Sequence, residues 1–196
     1  ERKLVSDYPR INSSPAWSPD GRKLAMSLSK DGNAEIYVKD MTTGSLTRIT
    51  HNAAIDTEPA WSVDGRSIIF SSGRAGKPQI YQVSAQGGTA RRVTFQGNYN
   101  AGASYSPDGR KLVLITDLGG GFKVGIFDPA TRSTRTLTST RLDESPSFAP
   151  NGEMILYSTV QGGKNVLAAV SSDGSVQQVL RFNAGSVKAP AWSPRL

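Results

Sequence analysis

The sequence predicts an all-β fold, a β-propeller made of four-stranded antiparallel blades. One phrase, Pro-Ala-Trp-Ser-Pro-Asp-Gly in its fullest form, recurs five times along 196 residues. Its aromatic position is occupied in turn by Trp17, Trp61, Tyr105, Phe148 and Trp192, which lie 43 or 44 residues apart. A repeat of about 40–50 residues is typical of a propeller or a solenoid. Short β-favouring stretches between Gly- and Pro-rich turns, with no long helical stretch, favour the propeller.

The first repeat contains the four strands of one blade in order. Residues 14–17 form a short strand, and residues 18–21, Ser-Pro-Asp-Gly, have the composition of a type I turn. Residues 22–29 alternate apolar and polar side chains with a period of two, which indicates a half-buried strand. Residues 35–41 are rich in β-favouring side chains, and residues 45–50 close the unit after a Thr-Thr-Gly turn. Four strands in about forty residues make one blade.

The same order of strands and turns recurs along the chain. We expect four complete blades in one domain that spans residues 1–196. Their approximate bounds are residues 14–50, 57–94, 102–138 and 145–180. Residues 1–6 match the outer strand of a preceding blade, and residues 189–193 match an inner first strand that closes a ring. We therefore expect the C-terminal part of a larger protein, with two partial blades whose open edges favour self-association.

The composition excludes several kinds of chemistry. The chain has no cysteine, so disulfides, thiol catalysis and Cys-ligated zinc are excluded, and no Gly-x-Ser-x-Gly serine elbow accompanies its single histidine, His51. We therefore expect no catalytic residue, no metal and no cofactor. The net charge of +7 comes from scattered Lys and Arg residues, which argues against a nucleic-acid partner. No apolar run is long enough to span a membrane.

Two recurring features of the repeat have structural interpretations. We expect the five aromatic side chains to pack between neighbouring blades, where each repeat buries a face that it cannot cover alone. A row of rings that stacks on carbohydrate or peptide is the alternative. We expect Asp20, Asp64 and Asp108 to form turns, because one carboxylate per blade is too few for a Ca²⁺ site, which needs about six to eight oxygen ligands.

The best candidates for function are the segments that lead into the first strand of each repeat, because loops on one face of a propeller are free to differ. The candidate partner-binding residues are Ile11, Asn12, Ser13, Ser14, Asp56, Thr57, Glu58, Asn100, Ala101, Gly102, Asp143, Glu144 and Lys188. The four acids among them stand out in a basic chain, which suggests a funnel for a basic or amide-rich partner segment or for a cation. The alternative is that these acids only cap loop amides.

Longer phrases carry a resemblance to a known family. They include Asp-Thr-Glu-Pro-Ala-Trp (56–61), Ala-Gly-Lys-Pro-Gln-Ile-Tyr (75–81), Leu-Asp-Glu-Ser-Pro-Ser-Phe-Ala-Pro-Asn-Gly (142–152) and Val-Lys-Ala-Pro-Ala-Trp-Ser-Pro-Arg-Leu (187–196). Together they resemble the C-terminal propeller of the TolB family over the whole chain. The short aromatic phrase alone is shared with tricorn-type and prolyl-oligopeptidase-like peptidases. The gating propeller of such a peptidase is therefore the alternative interpretation.

The resemblance implies a non-enzymatic, six-bladed scaffold in the periplasm, part of the Tol-Pal system that serves outer-membrane integrity and cell division. Its implied partner is the peptidoglycan-associated lipoprotein Pal, at a face to which positions matching Ser14 and Thr57 belong, and colicin translocation segments are implied at the same face. In this family a histidine is familiar at the position that Ile11 occupies, so the present sequence departs from the family there. It binds TolA through an N-terminal segment that these 196 residues do not include.

Overall fold

Sixteen β-strands form four antiparallel sheets in the computed structural model of the chain, which describes residues 4–180 and 186–192. The strands are β1 Asn12–Trp17, β2 Lys23–Leu28, β3 Glu35–Asp40, β4 Leu46–Arg48, β5 Asp56–Trp61, β6 Ser67–Ser72, β7 Gln79–Ser84, β8 Arg91–Arg92, β9 Tyr99–Tyr105, β10 Leu112–Asp117, β11 Lys123–Asp128, β12 Ser133–Thr136, β13 Glu144–Phe148, β14 Met154–Gln161, β15 Lys164–Ser171 and β16 Gln177–Leu180. Each sheet pairs four consecutive strands in chain order, which makes it a propeller blade. The predicted all-β propeller with four complete blades is confirmed.

The observed blades cover residues 12–48, 56–92, 99–136 and 144–180, within a few residues of the predicted bounds. Two predicted strands are not seen in the parts of them that the structure describes. The strand predicted at residues 1–6 is absent from residues 4–6, and the one predicted at residues 189–193 is absent from residues 189–192. Residues 1–3 and 193 lie outside the described residues. A strand needs a neighbour to supply its hydrogen bonds, and no described strand pairs with either segment.

The chain divides into two compact units, Glu1–Arg92 with the first two blades and Val93–Leu196 with the last two. Each unit has its own core of alternate strand residues. The core of the first unit contains Ala25, Ile36, Val38, Ile49, Trp61, Ile68, Phe70, Tyr81, Val83 and Ala85. The core of the second unit contains Val113, Ile115, Val124, Ile126, Leu137, Ile155, Tyr157, Ala168 and Val170. The single domain over residues 1–196 stays a prediction.

The recurring aromatic residues pack unequally. Trp61 is buried in the core of the first unit, and its indole Nε1–H donates to the backbone oxygen of Ala16 at 3.0 Å. Phe148 packs against the core of the second unit. These two rings confirm the predicted packing between blades. Trp17 does not pack between blades as predicted, because it is 56% exposed and no described blade covers it.

The turn that joins the first strand of a blade to the second is built alike in three blades. In the first blade, the Ser18 hydroxyl donates to Asp20 at 2.6 Å, and the same serine oxygen accepts the Lys23 N–H at 2.9 Å. Equivalent bonds join Ser62 to Asp64 and Ser106 to Asp108. The serine hydrogen bonds lower the pKa of all three aspartates. These carboxylates serve the turns, as predicted, and we call this end of a blade the turn end.

Candidate functional site

The opposite end of a blade, where its first strand begins, is here called the leading end, and it carries a bulge in every blade. The pairing of the first two strands shifts register at the same place in all four blades. One residue of each bulge has a left-handed backbone, namely Ser14 (φ 51°), Glu58 (φ 54°), Gly102 (φ 60°) and Ser145 (φ 53°). Only glycine adopts this conformation without cost, so the other three residues mark a strained feature.

Sequence reasoning does not find this strained position. Ser14, Glu58 and Ser145 each precede a proline, and a following proline favours an extended backbone. Only Gly102 has the residue type that commonly marks a left-handed backbone. Ala189, which also precedes a proline, adopts the same conformation one repeat later, with φ 47°. The feature depends on the pairing of the strands and is therefore visible only in the structure.

In the first unit, Asp56 lies two residues before the bulge and is fully buried, at 0% exposure. Its backbone N–H donates to the Ala34 oxygen of the preceding blade at 2.9 Å. Its carboxylate Oδ2 accepts a hydrogen bond from Arg74 Nη2 at 2.6 Å, and the Arg74 guanidinium also lies over the rings of Phe70 and Tyr81. The other carboxylate oxygen, Oδ1, has no hydrogen-bond partner. Asp56 is thus a buried ion-pair member that fixes the leading end.

A second buried carboxylate, Glu35, lies close to Asp56. Burial raises the pKa of Asp56, and the Glu35 charge raises it further. For Glu35 itself, burial is outweighed by hydrogen bonds from the Thr50 hydroxyl at 2.5 Å, the Asn52 N–H at 2.6 Å and Arg48 Nη2 at 2.9 Å, so its pKa is lowered. Sequence reasoning misses Glu35, because a single acid at the start of a predicted strand gives no sign of burial.

In the second unit, Asp143 has the same place as Asp56 and is 1% exposed. Its backbone N–H donates to the Phe122 oxygen at 3.0 Å. Its Oδ2 accepts the Thr138 hydroxyl at 2.5 Å and the Val124 N–H at 3.2 Å, while Oδ1 has no hydrogen-bond partner. The described partners of this carboxylate are therefore neutral groups, in contrast to the arginine beside Asp56.

In the first and third blades, the residue at the position of Asp56 and Asp143 is an asparagine. Asn100 is fully buried, and its Nδ2 donates to the Gln96 oxygen at 2.7 Å. Asn12 is exposed, and its Oδ1 accepts a bond from the backbone N–H of Tyr8 at 3.2 Å while its Nδ2 donates to the Tyr8 oxygen at 2.7 Å. An Asp or Asn thus occupies the position two residues before the bulge in all four blades.

The structure separates the predicted partner-binding residues into two groups. Asp56, Asn100, Ala101 and Asp143 are buried and offer little surface to a partner, so their direct contact with a partner stays a prediction. The residues with exposed or half-buried surface are Ile11, Asn12, Ser13, Ser14, Thr57, Glu58, Gly102, Glu144 and Lys188. Of the four acids expected to form a funnel, only Glu58 and Glu144 are exposed, and Glu58 accepts a bond from Ser71 at 2.8 Å.

Exposed apolar side chains are the more prominent feature of the leading ends. Ile11, Ile55 and Leu142 each precede the Asp or Asn position by one residue, and they are 56%, 61% and 53% exposed. The equivalent residue in the third blade, Tyr99, packs edge-on against Phe122 with ring centroids 4.8 Å apart. Sequence reasoning included only Ile11 among the site residues, although the recurrence of an apolar residue at this position was available as a signal.

Three further features of the described residues concern metals, membranes and cavities. No group of three or more His, Cys, Asp or Glu side chains among them could hold a metal ion. The described residues contain no helix that is long and apolar enough to cross a membrane. A cavity of about 450 Å³ in the second unit is lined by Gly163, Lys164, Asn165, Ser186 and Lys188, so it adjoins one predicted site residue.

Four antiparallel four-stranded blades, each with a bulge at its leading end, define a protein of the β-propeller class. The family described as TolB beta propeller domain matches residues 1–196, and the chain belongs to this family.

The relatives cover more sequence than this chain does. The chain is 56% identical over 196 residues to the Tol-Pal system protein TolB of Alcanivorax borkumensis, covering all of this chain and 45% of that protein. It is 54% identical over 186 residues to the protein of the same name from Ruthia magnifica, covering 95% of this chain and 44% of that protein. The crystal structure of TolB from Acinetobacter baumannii has a TM-score of 0.92 and 40% identity, covering 100% of this chain and 49% of that one. The chain therefore spans about half the length of these relatives.

Proposed function

We propose that this propeller binds the lipoprotein Pal through the exposed residues at the leading ends of its blades, as a non-enzymatic part of a Tol-Pal system in the periplasm. Support comes from the relatives over the whole chain, which carry the name Tol-Pal system protein. The observation that carries the choice of surface is the recurrence of exposed Ile11, Ile55 and Leu142 beside a strained bulge. Outer-membrane integrity and cell division would follow from that binding, and colicin segments would compete for it.

The magnitudes favour apolar contacts as the main source of affinity. Full burial of an Ile or Leu side chain contributes roughly 1.5–3 kcal/mol, whereas an exposed ion pair contributes about 0–1 kcal/mol. Three such side chains recur at the leading ends, against two exposed acids, Glu58 and Glu144. We therefore expect Ile11, Ile55 and Leu142 to set the affinity, and the charges of Glu144 and Lys188 to influence the association rate.

Calorimetric titration of the full-length protein with purified Pal tests this proposal. Ile55→Asp places a charge at the leading end of the second blade, and Val63→Asp places the same charge at the turn end of the same blade. The two parent side chains are 61% and 50% exposed, so the pair is matched. We expect the first variant to weaken binding by more than about tenfold and the second to leave it unchanged. Equal affinities would reject the leading ends as the binding surface.

The gating propeller of a peptidase is the competing expectation from the sequence. The family match over residues 1–196 and the TolB relatives favour the Tol-Pal proposal. The full reading frame distinguishes the two, because a peptidase would carry a hydrolase domain beside the propeller. Hydrolysis of peptide substrates by the full-length protein would support the peptidase and contradict a non-enzymatic scaffold.

A further inference from the structure

We propose that Thr138 and Asp143 are positioning residues for the leading end of the fourth blade. Their buried hydrogen bond holds Ser145 in its left-handed conformation and thereby presents Leu142 and Glu144 to the partner. This inference rests on the proposed function, because it assigns a task to residues beneath the proposed binding surface. It also replaces the expectation that Asp143 itself contacts the partner.

In the second unit, hydrogen bonds among Thr138, Asp143 and the backbone of residues 122–124 close a short loop, and we call this group the clasp. Thr138, which lies two residues after the third blade, is buried, and its hydroxyl donates to Asp143 Oδ2 at 2.5 Å. The Val124 N–H is shared between the Thr138 hydroxyl and the same carboxylate oxygen, at 3.2 Å to each. The Asp143 N–H is bound to the Phe122 oxygen at 3.0 Å. The loop from 138 to 143 is thus tied at both ends to residues 122–124, where the third strand of the preceding blade begins.

The clasp stands immediately before the strained bulge. Ser145 follows Asp143 by two residues and has φ 53°, and the register of β13 against β14 shifts between Glu144 and Ser147. A left-handed serine persists only where its surroundings determine it. The clasp and the pairing of Glu144 with Ser158 both hold the backbone just before the bulge, while Leu142 and Glu144, which flank Asp143, are exposed. The buried bond therefore connects to the exposed side chains through one short stretch of backbone.

The first unit has the same arrangement, but other residues complete its hydrogen bonds. Thr50 and Asp56 occupy the equivalent positions, the Ile36 N–H donates to the Thr50 hydroxyl at 2.9 Å, and Glu58 is left-handed with φ 54°. There the Thr50 hydroxyl donates to Glu35, and Arg74 supplies the bond to Asp56. A buried threonine and a buried Asp or Asn also recur as Thr94 and Asn100. Recurrence of the pair at one repeat position, with varied partners, indicates that the clasp serves the geometry of the leading end.

Two matched pairs of variants test the clasp in the full-length protein, with Pal as the probe. Asp143→Ala removes the acceptor, whereas Asp143→Asn retains an oxygen acceptor and reproduces the residue type of Asn100. Thr138→Val removes the donor, whereas Thr138→Ser retains it. We expect the first member of each pair to weaken Pal binding by about tenfold and the second to stay within about threefold of the parent protein. Unchanged affinity in both Asp143→Ala and Thr138→Val would overturn the inference.

A double-variant cycle separates positioning from general stability. Glycine accepts a left-handed backbone without strain, so Ser145→Gly should make the bulge independent of the clasp. We expect Asp143→Ala to weaken binding by about tenfold in the parent and by no more than about twofold in the Ser145→Gly background. Equal losses in both backgrounds would mean that Asp143 acts on stability alone. If Asp143→Ala does not fold, the same cycle with Thr138→Val gives the answer.

Amide hydrogen exchange provides a readout that does not depend on Pal. We expect the backbone amides of Asp143 and Val124 to exchange faster in Thr138→Val than in Thr138→Ser. Amides at the turn end, such as that of Gly152, should exchange equally in the two variants. If the parent protein does not bind Pal, the proposed function fails, and the exchange data still decide the clasp. Exchange at position 143 and at Val124 that is equal in the two variants would overturn the inference whatever the binding result.

Discussion

Asp56 and Asp143 occupy the same repeat position in the two units, yet their buried carboxylates are stabilised in different ways. The backbone link is nearly identical, since each N–H reaches a carbonyl of the preceding blade, at 2.9 Å and 3.0 Å. The side chains differ: Asp56 pairs with Arg74 and its pKa is raised by burial, whereas Asp143 accepts bonds from a hydroxyl and an amide. The leading end therefore demands a fixed backbone and a satisfied buried oxygen, and tolerates either an ionic or a neutral partner.

The largest difference between the two positions should appear when the ion pair is broken. Arg74→Met leaves the Asp56 carboxylate buried without a cation, and we expect it to lower the free energy of unfolding by about 3 kcal/mol. Adding Asp56→Asn should recover part of this loss, because the uncompensated charge is then removed. Chemical denaturation measures both, with the exposed turn-end Arg66→Met as the control, for which a change within about 0.5 kcal/mol is expected. An equal effect of Arg66→Met would contradict the account.

The neutral clasp should show a smaller loss. Thr138→Val removes one donor to the buried Asp143 oxygen, and we expect it to lower the free energy of unfolding by about 1–3 kcal/mol. Thr138→Ser should cost much less because the hydroxyl is retained. Denaturation of the two variants side by side checks this difference. A loss in Thr138→Val greater than that in Arg74→Met would reverse the comparison between the ionic and the neutral position.

The turn ends should not show any such contrast between units. Ser62 and Ser106 make the same bonds to Asp64 and Asp108, so Ser62→Ala and Ser106→Ala should each cost about 1 kcal/mol and agree within about 0.5 kcal/mol. Denaturation curves of the two variants provide the test. Clearly unequal losses would mean that the repeated turn chemistry is not equivalent in energy, and that differences at the leading ends cannot be attributed to their side chains alone.

The smallest expected effect is a change in a tyrosine pKa. Burial raises the pKa of Tyr157 to about 12, and the Asp143 charge adds to the increase. Because the folded-state pKa exceeds the ordinary value of 10.0, this contribution to stability is complete below pH 10 and is lost as the pH rises towards 12. Asp143→Asn should lower the Tyr157 pKa, while Tyr37, whose pKa is also about 12, should not change. Tyrosine ionisation is followed by near-ultraviolet absorbance during a pH titration. Equal changes in the pKa values of Tyr157 and Tyr37 would contradict this expectation.

The sequence predicts the blades well because their determinants are local or strictly repeated. The Ser-Pro-Asp-Gly turns form from their own side chains, and alternation along each strand marks the buried face. The burial of Asp56 and Asp143 is not predictable in the same way, because it depends on Ala34 and Phe122, which lie about twenty residues earlier and in another blade. From sequence alone, an acidic residue in a predicted loop is expected to be exposed, whereas Asp56 and Asp143 are buried.

The same limit explains the other differences. A left-handed Ser145 before Pro146 contradicts local preference and coincides with a bulge in the pairing of β13 with β14, which no local sequence pattern indicates. The strand expected at residues 1–6 has suitable residue types in its described part, 4–6, but no described neighbour to pair with it. The exposed apolar residues Ile55 and Leu142 are predictable from the sequence, because they occupy the same repeat position as Ile11.

The claim that the leading ends bind the partner is tested most directly in the second unit. Leu142 at the leading end and Val176 at the turn end of the fourth blade are 53% and 54% exposed, so Leu142→Asp and Val176→Asp form a closely matched pair. We predict that titration of the full-length protein with Pal gives an affinity at least about tenfold lower for Leu142→Asp and an unchanged affinity for Val176→Asp. Loss of binding in Val176→Asp with none in Leu142→Asp would contradict the account.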